Sequence, residues 1–177
     1  MTLDAFKSIF WVEYIHRLWG RLIGLVFAAP LVLFWIRGRL PRALRWPLVG
    51  IFALGGLQGA LGWYMVKSGL IDRPDVSPYR LTAHLLLAVA IYGAVLWIAF
   101  GLVAPRGRGG PSRRLGRWLL ALVVLTIAAG GFVAGLDAGF AFNTFPLMDG
   151  KLVPDDYAAL SPAWQNVFEN ISAVQFN

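Results

Sequence analysis

The 177 residues are 58% hydrophobic with a mean hydropathy of +0.65, more apolar than a soluble domain of ordinary composition. The net charge of +7 does not mark a nucleic-acid binder. The arginines are gathered into two acid-free stretches between apolar blocks, which excludes nucleic acid as the partner and makes the charge a membrane-topology signal. The absence of cysteine excludes thiolate metal sites, iron–sulfur clusters, disulfides and cysteine nucleophiles within these residues.

Four apolar blocks follow in chain order, Phe10–Ile36, Trp46–Val66, Leu81–Val103 and Leu115–Leu136. Each is close to the ~20 residues that cross a bilayer. Backbone in lipid must satisfy its own hydrogen bonds, so the blocks are predicted helices, and the alternation of a β-barrel is absent. The predicted fold is all-α, a polytopic transmembrane helix bundle with four full spans. The first block carries Glu13, His16, Arg17 and Arg21, unlike a cleavable signal core. Arg37, Arg39, Arg42 and Arg45 separate it from the second block. A loop over 67–80 follows, with Pro74 and Pro78 expected to break any helix. Arg106, Arg108, Arg113, Arg114 and Arg117 lie between the third and fourth blocks.

The positive-inside rule puts the 37–46 and 104–117 loops in the cytoplasm, and the N-terminus, the 67–80 loop and the 137–163 segment outside. Trp11, Trp63, Tyr64 and Trp118 fall near block ends, as an aromatic belt does. Beyond Pro162 a helical pattern resumes through Trp164, Val167, Phe168, Ile171 and Val174. Val12-Glu-Tyr14 pairs with Val174-Gln-Phe176 as a short internal repeat. A repeat would place a histidine after Asn177, and suggests a truncated chain that lacks spans on both sides.

The chemistry centres on the two histidines, His16 and His84. An ionisable group in a membrane helix is a functional hypothesis by default. His16 lies about six residues into the first block and His84 about three into the third. At ~1.5 Å per residue the imidazoles share a depth to within about a turn. Two neutral imidazoles suit the axial positions of one haem iron; a hydrogen-bonded or proton-relay pair is the other reading. Copper or zinc fits less well, for want of a third ligand. Gly20 and Gly24 repeat the His16 face at four-residue steps and leave room for a porphyrin or for a close-packed helix. Arg17 and Arg80 are placed either to pair with haem propionates or to snorkel to headgroups. Glu13, on the His16 face, is either a structural partner of Arg17 or an acid, base or charge stabiliser at the macrocycle edge. With both axial positions filled, oxygen cannot bind that iron. Such a haem is an electron carrier or a substrate modified at its periphery by a second redox centre.

The segment Asp4–Arg21 resembles the signature of the haem A synthase family of the proteobacterial and mitochondrial type. So do Gln58–Leu70, Arg80–His84, Val133–Gly139, Phe142–Met148 and Asn170–Asn177. The resemblance implies an oxidoreductase that converts haem O to haem A by oxidising the C8 methyl to a formyl group, for cytochrome c oxidase assembly. It implies an eight-helix fold of two pseudo-symmetric four-helix halves. Residues 1–103 would belong to the first half, with the substrate haem site, and 104–177 would open the second. His16 and His84 match the axial pair of the haem O site, and Glu13 matches the glutamate held to be catalytic. Haem b, the cofactor, would bind a second histidine pair in the missing half, so the fragment alone is expected to be inactive. Implied partners are haem O synthase, a membrane electron donor or acceptor, the lipid bilayer and further copies of the chain. The implied location is the bacterial inner membrane, with the 137–163 segment periplasmic. The cysteine pair of Gram-positive members is absent. A bis-histidine cytochrome that carries electrons without catalysis is the alternative.

Overall fold

The computed structural model describes residues 3–72, 76–103, 112–144 and 146–177. Four long helices account for most of the chain: α1 (Leu3–Ile36), α2 (Arg42–Asp72), α3 (Pro78–Val103) and α4 (Ser112–Gly135). Two short ones follow, α5 (Gln165–Phe168) and α6 (Ile171–Phe176). The long helices contain four stretches apolar and long enough to cross a membrane, Ile9–Ile36, Arg42–Lys67, Pro78–Val103 and Ser112–Gly135. The chain is an all-α, multi-pass membrane protein.

The helices overrun the apolar blocks at most ends. Positions 67–72, expected in a loop, continue α2, and Pro78, expected to break helices, begins α3. The reason is local: proline's fixed φ and missing N–H suit the first turn of a helix. Arg106, Arg108 and Pro74 lie outside the described residues.

The chain forms two compact units, Met1–Ala60 and Leu61–Asn177, with the boundary inside α2. In the first, α1 and the start of α2 make a hairpin closed by a Schellman turn. Gly38 adopts φ 66°. Its N–H donates to the Trp35 carbonyl at 3.0 Å, and the Arg39 N–H donates to the Phe34 carbonyl at 2.9 Å. Only a residue without Cβ takes that conformation cheaply. Pro41 then prevents the helix from continuing. Phe27 stacks on Phe52 at 6.3 Å, Trp35 meets Trp46 edge-on, and Arg45 lies over the Trp35 ring at 5.6 Å.

In the second unit, α3 and α4 pack antiparallel at very close range. A methyl group at position 131 would lie 2.7 Å from Thr82 Oγ1, and one at 135 would lie 2.6 Å from Pro78 Cα. Gly131 and Gly135 are therefore a small-residue seam that lets two backbones approach. Beyond α4, Asp137 turns the chain through φ 52° into a short 3₁₀ turn, Ala138–Phe140, whose first residue is fully buried. Asp149 and Gly150, both at positive φ, form a two-residue turn bridged by Met148 and Lys151. Paired positive φ values are what an Asp-Gly hairpin turn provides.

The helical pattern expected after Pro162 is two pieces rather than one. It breaks at Asn170, which sits in extended backbone and accepts from the Ala173 N–H as the N-cap of α6. The Asn170 amide also donates to the Asp156 carbonyl at 2.5 Å, and Asn166 bonds the Leu160 backbone in both directions. Gln175 does the same to Phe142, its amide accepting from the N–H at 2.8 Å and donating to the carbonyl at 2.9 Å. Side-chain amides thus fasten the irregular 138–164 segment to the two short helices.

Candidate functional site

The candidate residues fall on α1, in the first unit, and on α3, in the second. On α1 the spacing 13, 16, 17, 20, 24 is a helical stripe. Glu13 and Arg17 form an ion pair across one turn, with side chains 40% and 47% exposed. The structural pairing expected at i+4 is therefore present, although such an exposed pair contributes only ~0–1 kcal/mol. His16 is exposed between them in sequence, and a methyl group at Gly20 or Gly24 would meet no atom within 4 Å. The stripe below His16 is a face without side chains, open to a flat ligand or to a helix. Phe10 and Tyr14 stack at 6.2 Å, with Trp11 edge-on to both.

On α3 the setting is packed. His84 is half-buried against α2: a methyl group at Gly62 would lie 3.0 Å from Cε1, 3.6 Å from Nε2 and 3.7 Å from Nδ1. One turn toward the helix start, the Arg80 guanidinium lies 4.7 Å from the centre of the Tyr64 ring. Lys67 covers Trp63 in the same way at 4.7 Å. The first turn of α3 is fixed from outside the bundle as well. Tyr79 donates its hydroxyl to Glu169 at 2.8 Å, and its ring packs with Phe132 and Phe168 at 5.3 and 6.4 Å.

The candidate spans, set by length and composition, give each histidine a position along its own helix, although α1 itself begins earlier, at Leu3. His16 lies seven residues beyond Ile9 and His84 six beyond Pro78, where their apolar spans begin. At ~1.5 Å per residue each imidazole is about 10 Å along its own span.

A neutral imidazole is a strong metal donor, and both rings sit where bulk is missing: Gly62 behind one, Gly20 and Gly24 beside the other. That donor chemistry fits a haem iron. Among the described residues, no three His, Cys, Asp or Glu side chains gather as a metal-ion cluster would require. Gly62 and Tyr64 escaped sequence reading as supports. Their signal was the antiparallel register of α2 and α3, in which 62 meets 84 and 64 meets 80.

Compared with known proteins, residues 1–177 match the model of the COX15-CtaA family, described as cytochrome oxidase assembly protein. The chain belongs to this family. It is 53% identical over 179 residues to the heme A synthase of Mesorhizobium japonicum and 51% identical over 179 residues to that of Allorhizobium ampelinum. It is also 53% identical over 178 residues to the heme A synthase of a Chelativorans species. In each case 99% of this chain aligns with 49% of the relative. The chain thus spans about half the length of the curated relatives it matches. No solved structure matches.

Proposed function

We propose that this family member carries the substrate-haem half of a haem A synthase, an oxidoreductase that converts haem O to haem A by oxidising the C8 methyl to a formyl group for cytochrome c oxidase. The carrying observation is the pair of imidazoles about 10 Å along their own apolar spans, with the His84 ring filling the space at Gly62 and with Gly20 and Gly24 facing open space on the His16 helix. His16 and His84 are the axial ligands of the substrate iron. Arg17 and Arg80 meet its propionates; Arg80 reaches them from its seat on Tyr64.

Glu13, one turn before His16, holds or moves a proton at the macrocycle edge, and Arg17 pairs with its carboxylate across one helical turn. With both axial positions filled, the site excludes oxygen from the substrate iron. Haem b supplies the oxidising equivalents when bound. The two histidines of this chain are already assigned, so that cofactor needs a second pair elsewhere in a protein of the relatives' length. Residues 1–103 belong to the substrate half and 104–177 begin a pseudo-symmetric partner half, a reading supported by the likeness of Val12-Glu-Tyr14 to Val174-Gln-Phe176.

The membrane is the bacterial inner membrane, with 37–46 and 104–117 cytoplasmic and 137–163 periplasmic. Haem O synthase as donor of the substrate, a membrane electron partner and self-association complete the reading.

The Glu13–Arg17 ion pair favours one alternative, a bis-histidine cytochrome in which Glu13 is only structural. The two readings part at Glu13→Ala in the full-length protein. The expected outcome is retained haem O with haem A formation abolished, read by pigment extraction. Normal haem A output would remove the catalytic role and favour the electron carrier.

A further inference from the structure

We infer that Gly62 is a positioning residue for His84, setting the rotation of the imidazole plane that the ligand role requires. The inference rests on the proposed ligand role of His84. The geometry is specific. The vacant Cβ direction of Gly62 points at the ring edge, closest to Cε1 at 3.0 Å and almost equally far from the two nitrogens, at 3.6 and 3.7 Å. A contact at 3.0 Å is tighter than carbon atoms ordinarily accept, since optimal separation is ~3.5–4.0 Å. A methyl group there forces the ring to slide or to turn about its Cβ–Cγ bond.

Sliding is restricted, because the α3 backbone is pinned two residues away. Thr82 is buried against Gly131, and Pro78 lies against Gly135. Rotation is the remaining freedom. The neighbouring glycine of α2, Gly59, faces open space, so the close approach belongs to position 62 and not to the helix as a whole. The same stretch of α2 supports Arg80 through Tyr64. One stretch of α2 therefore orients two α3 side chains assigned to the substrate.

Rotation of an axial imidazole changes the electronic structure of a low-spin iron as well as its affinity, and a purely structural glycine would not produce that signature. The experiment is electron paramagnetic resonance of the full-length protein loaded with haem O. It compares Gly62→Ala with the parent, with Gly59→Ala as the measure of replacing any glycine in α2. The expected result is a shifted low-spin g-maximum for the His84 site and a haem affinity lowered about 10-fold, the usual cost of disturbing a ligand's support. Gly59→Ala should leave both unchanged. An unchanged signal and affinity in Gly62→Ala would overturn the inference.

His84→Ala separates the two levels. Loss of the low-spin signal supports the ligand role on which the inference stands, and its persistence removes that role and the inference with it. Should Gly62→Ala fail to retain haem, the histidine-labelled apoprotein gives the answer. The His84 ring resonances should move in Gly62→Ala and stay in Gly59→Ala; no movement in either refutes the positioning role.

Discussion

The α1 stripe and the α3 stripe carry the same side chain in opposite settings. His84 stands on a helix held at Pro78, Tyr79 and Thr82, with its ring against Gly62. His16 stands exposed on a helix face that Gly20 and Gly24 leave clear. One donor is preorganised by packing; the other depends on what covers it. In the proposed function, His84 would bring the substrate a packed setting and His16 an open one.

The largest expected effect breaks the pair outright. In the full-length protein, His16→Gly and His84→Gly should each abolish the low-spin spectrum of this site. The comparison is sharpened by adding free imidazole. The open face of α1 should accept it and restore the low-spin signal in His16→Gly at lower imidazole concentration than in His84→Gly, where Gly62 and the α3–α4 seam confine the slot. Equal rescue would show that the two settings do not differ in the way their packing implies.

The glycines give the next test. Gly131→Val or Gly135→Val places carbon atoms where Thr82 Oγ1 and Pro78 Cα already lie. Overpacking of this kind typically costs about 1–3 kcal/mol, read as a lowered unfolding midpoint in detergent. Gly20→Ala and Gly24→Ala should do the reverse in the haem-free protein. Each replaces a poor helix former at an open position, a gain of up to about 1 kcal/mol. Haem retention should nonetheless fall, because the methyl groups occupy the porphyrin's surface. If haem-free stability falls instead, the stripe is a seam for another helix.

Much of the scaffold was legible in sequence, because apolar blocks of membrane length leave the backbone no alternative to helix. Helix ends were not. Apolarity stops at Trp46 and Val66, whereas hydrogen bonding continues through Arg42 and Asp72, where arginine stems and interfacial residues tolerate helix as well as loop. Pro78 was read as a breaker although its position, four residues before Thr82, equally suits a helix start. The break at Asn170 carried its own signal, an asparagine N-cap, masked by the apolar periodicity on both sides. The stripe of Glu13, His16 and Arg17 could be read from spacing alone. The supports of His84 could not, because Gly62 shows its purpose only when α2 and α3 are set in register. Nor could the grip of Gln175 on Phe142, 33 residues away.

The smallest expected effect concerns the outer fastening of α3. Tyr79→Phe removes the hydrogen bond to Glu169 and keeps the ring against Phe132 and Phe168. A hydrogen bond to a charged acceptor contributes ~1.5–3 kcal/mol when shielded. Tyr79 is 41% exposed, so water competes for both partners and about 0.5 kcal/mol is the reasonable expectation. Global unfolding should hardly register it. Hydrogen exchange at Leu81 and Thr82, in the first turns of α3, should quicken about two-fold, with no change at Leu85 and beyond. Glu169→Gln, which still offers an oxygen to the hydroxyl, should exchange like the parent. If Tyr79→Phe also matches the parent, α3 is held by the aromatic cluster and the glycine seam alone, and its first turn owes nothing to the hydrogen bond from Tyr79 to Glu169.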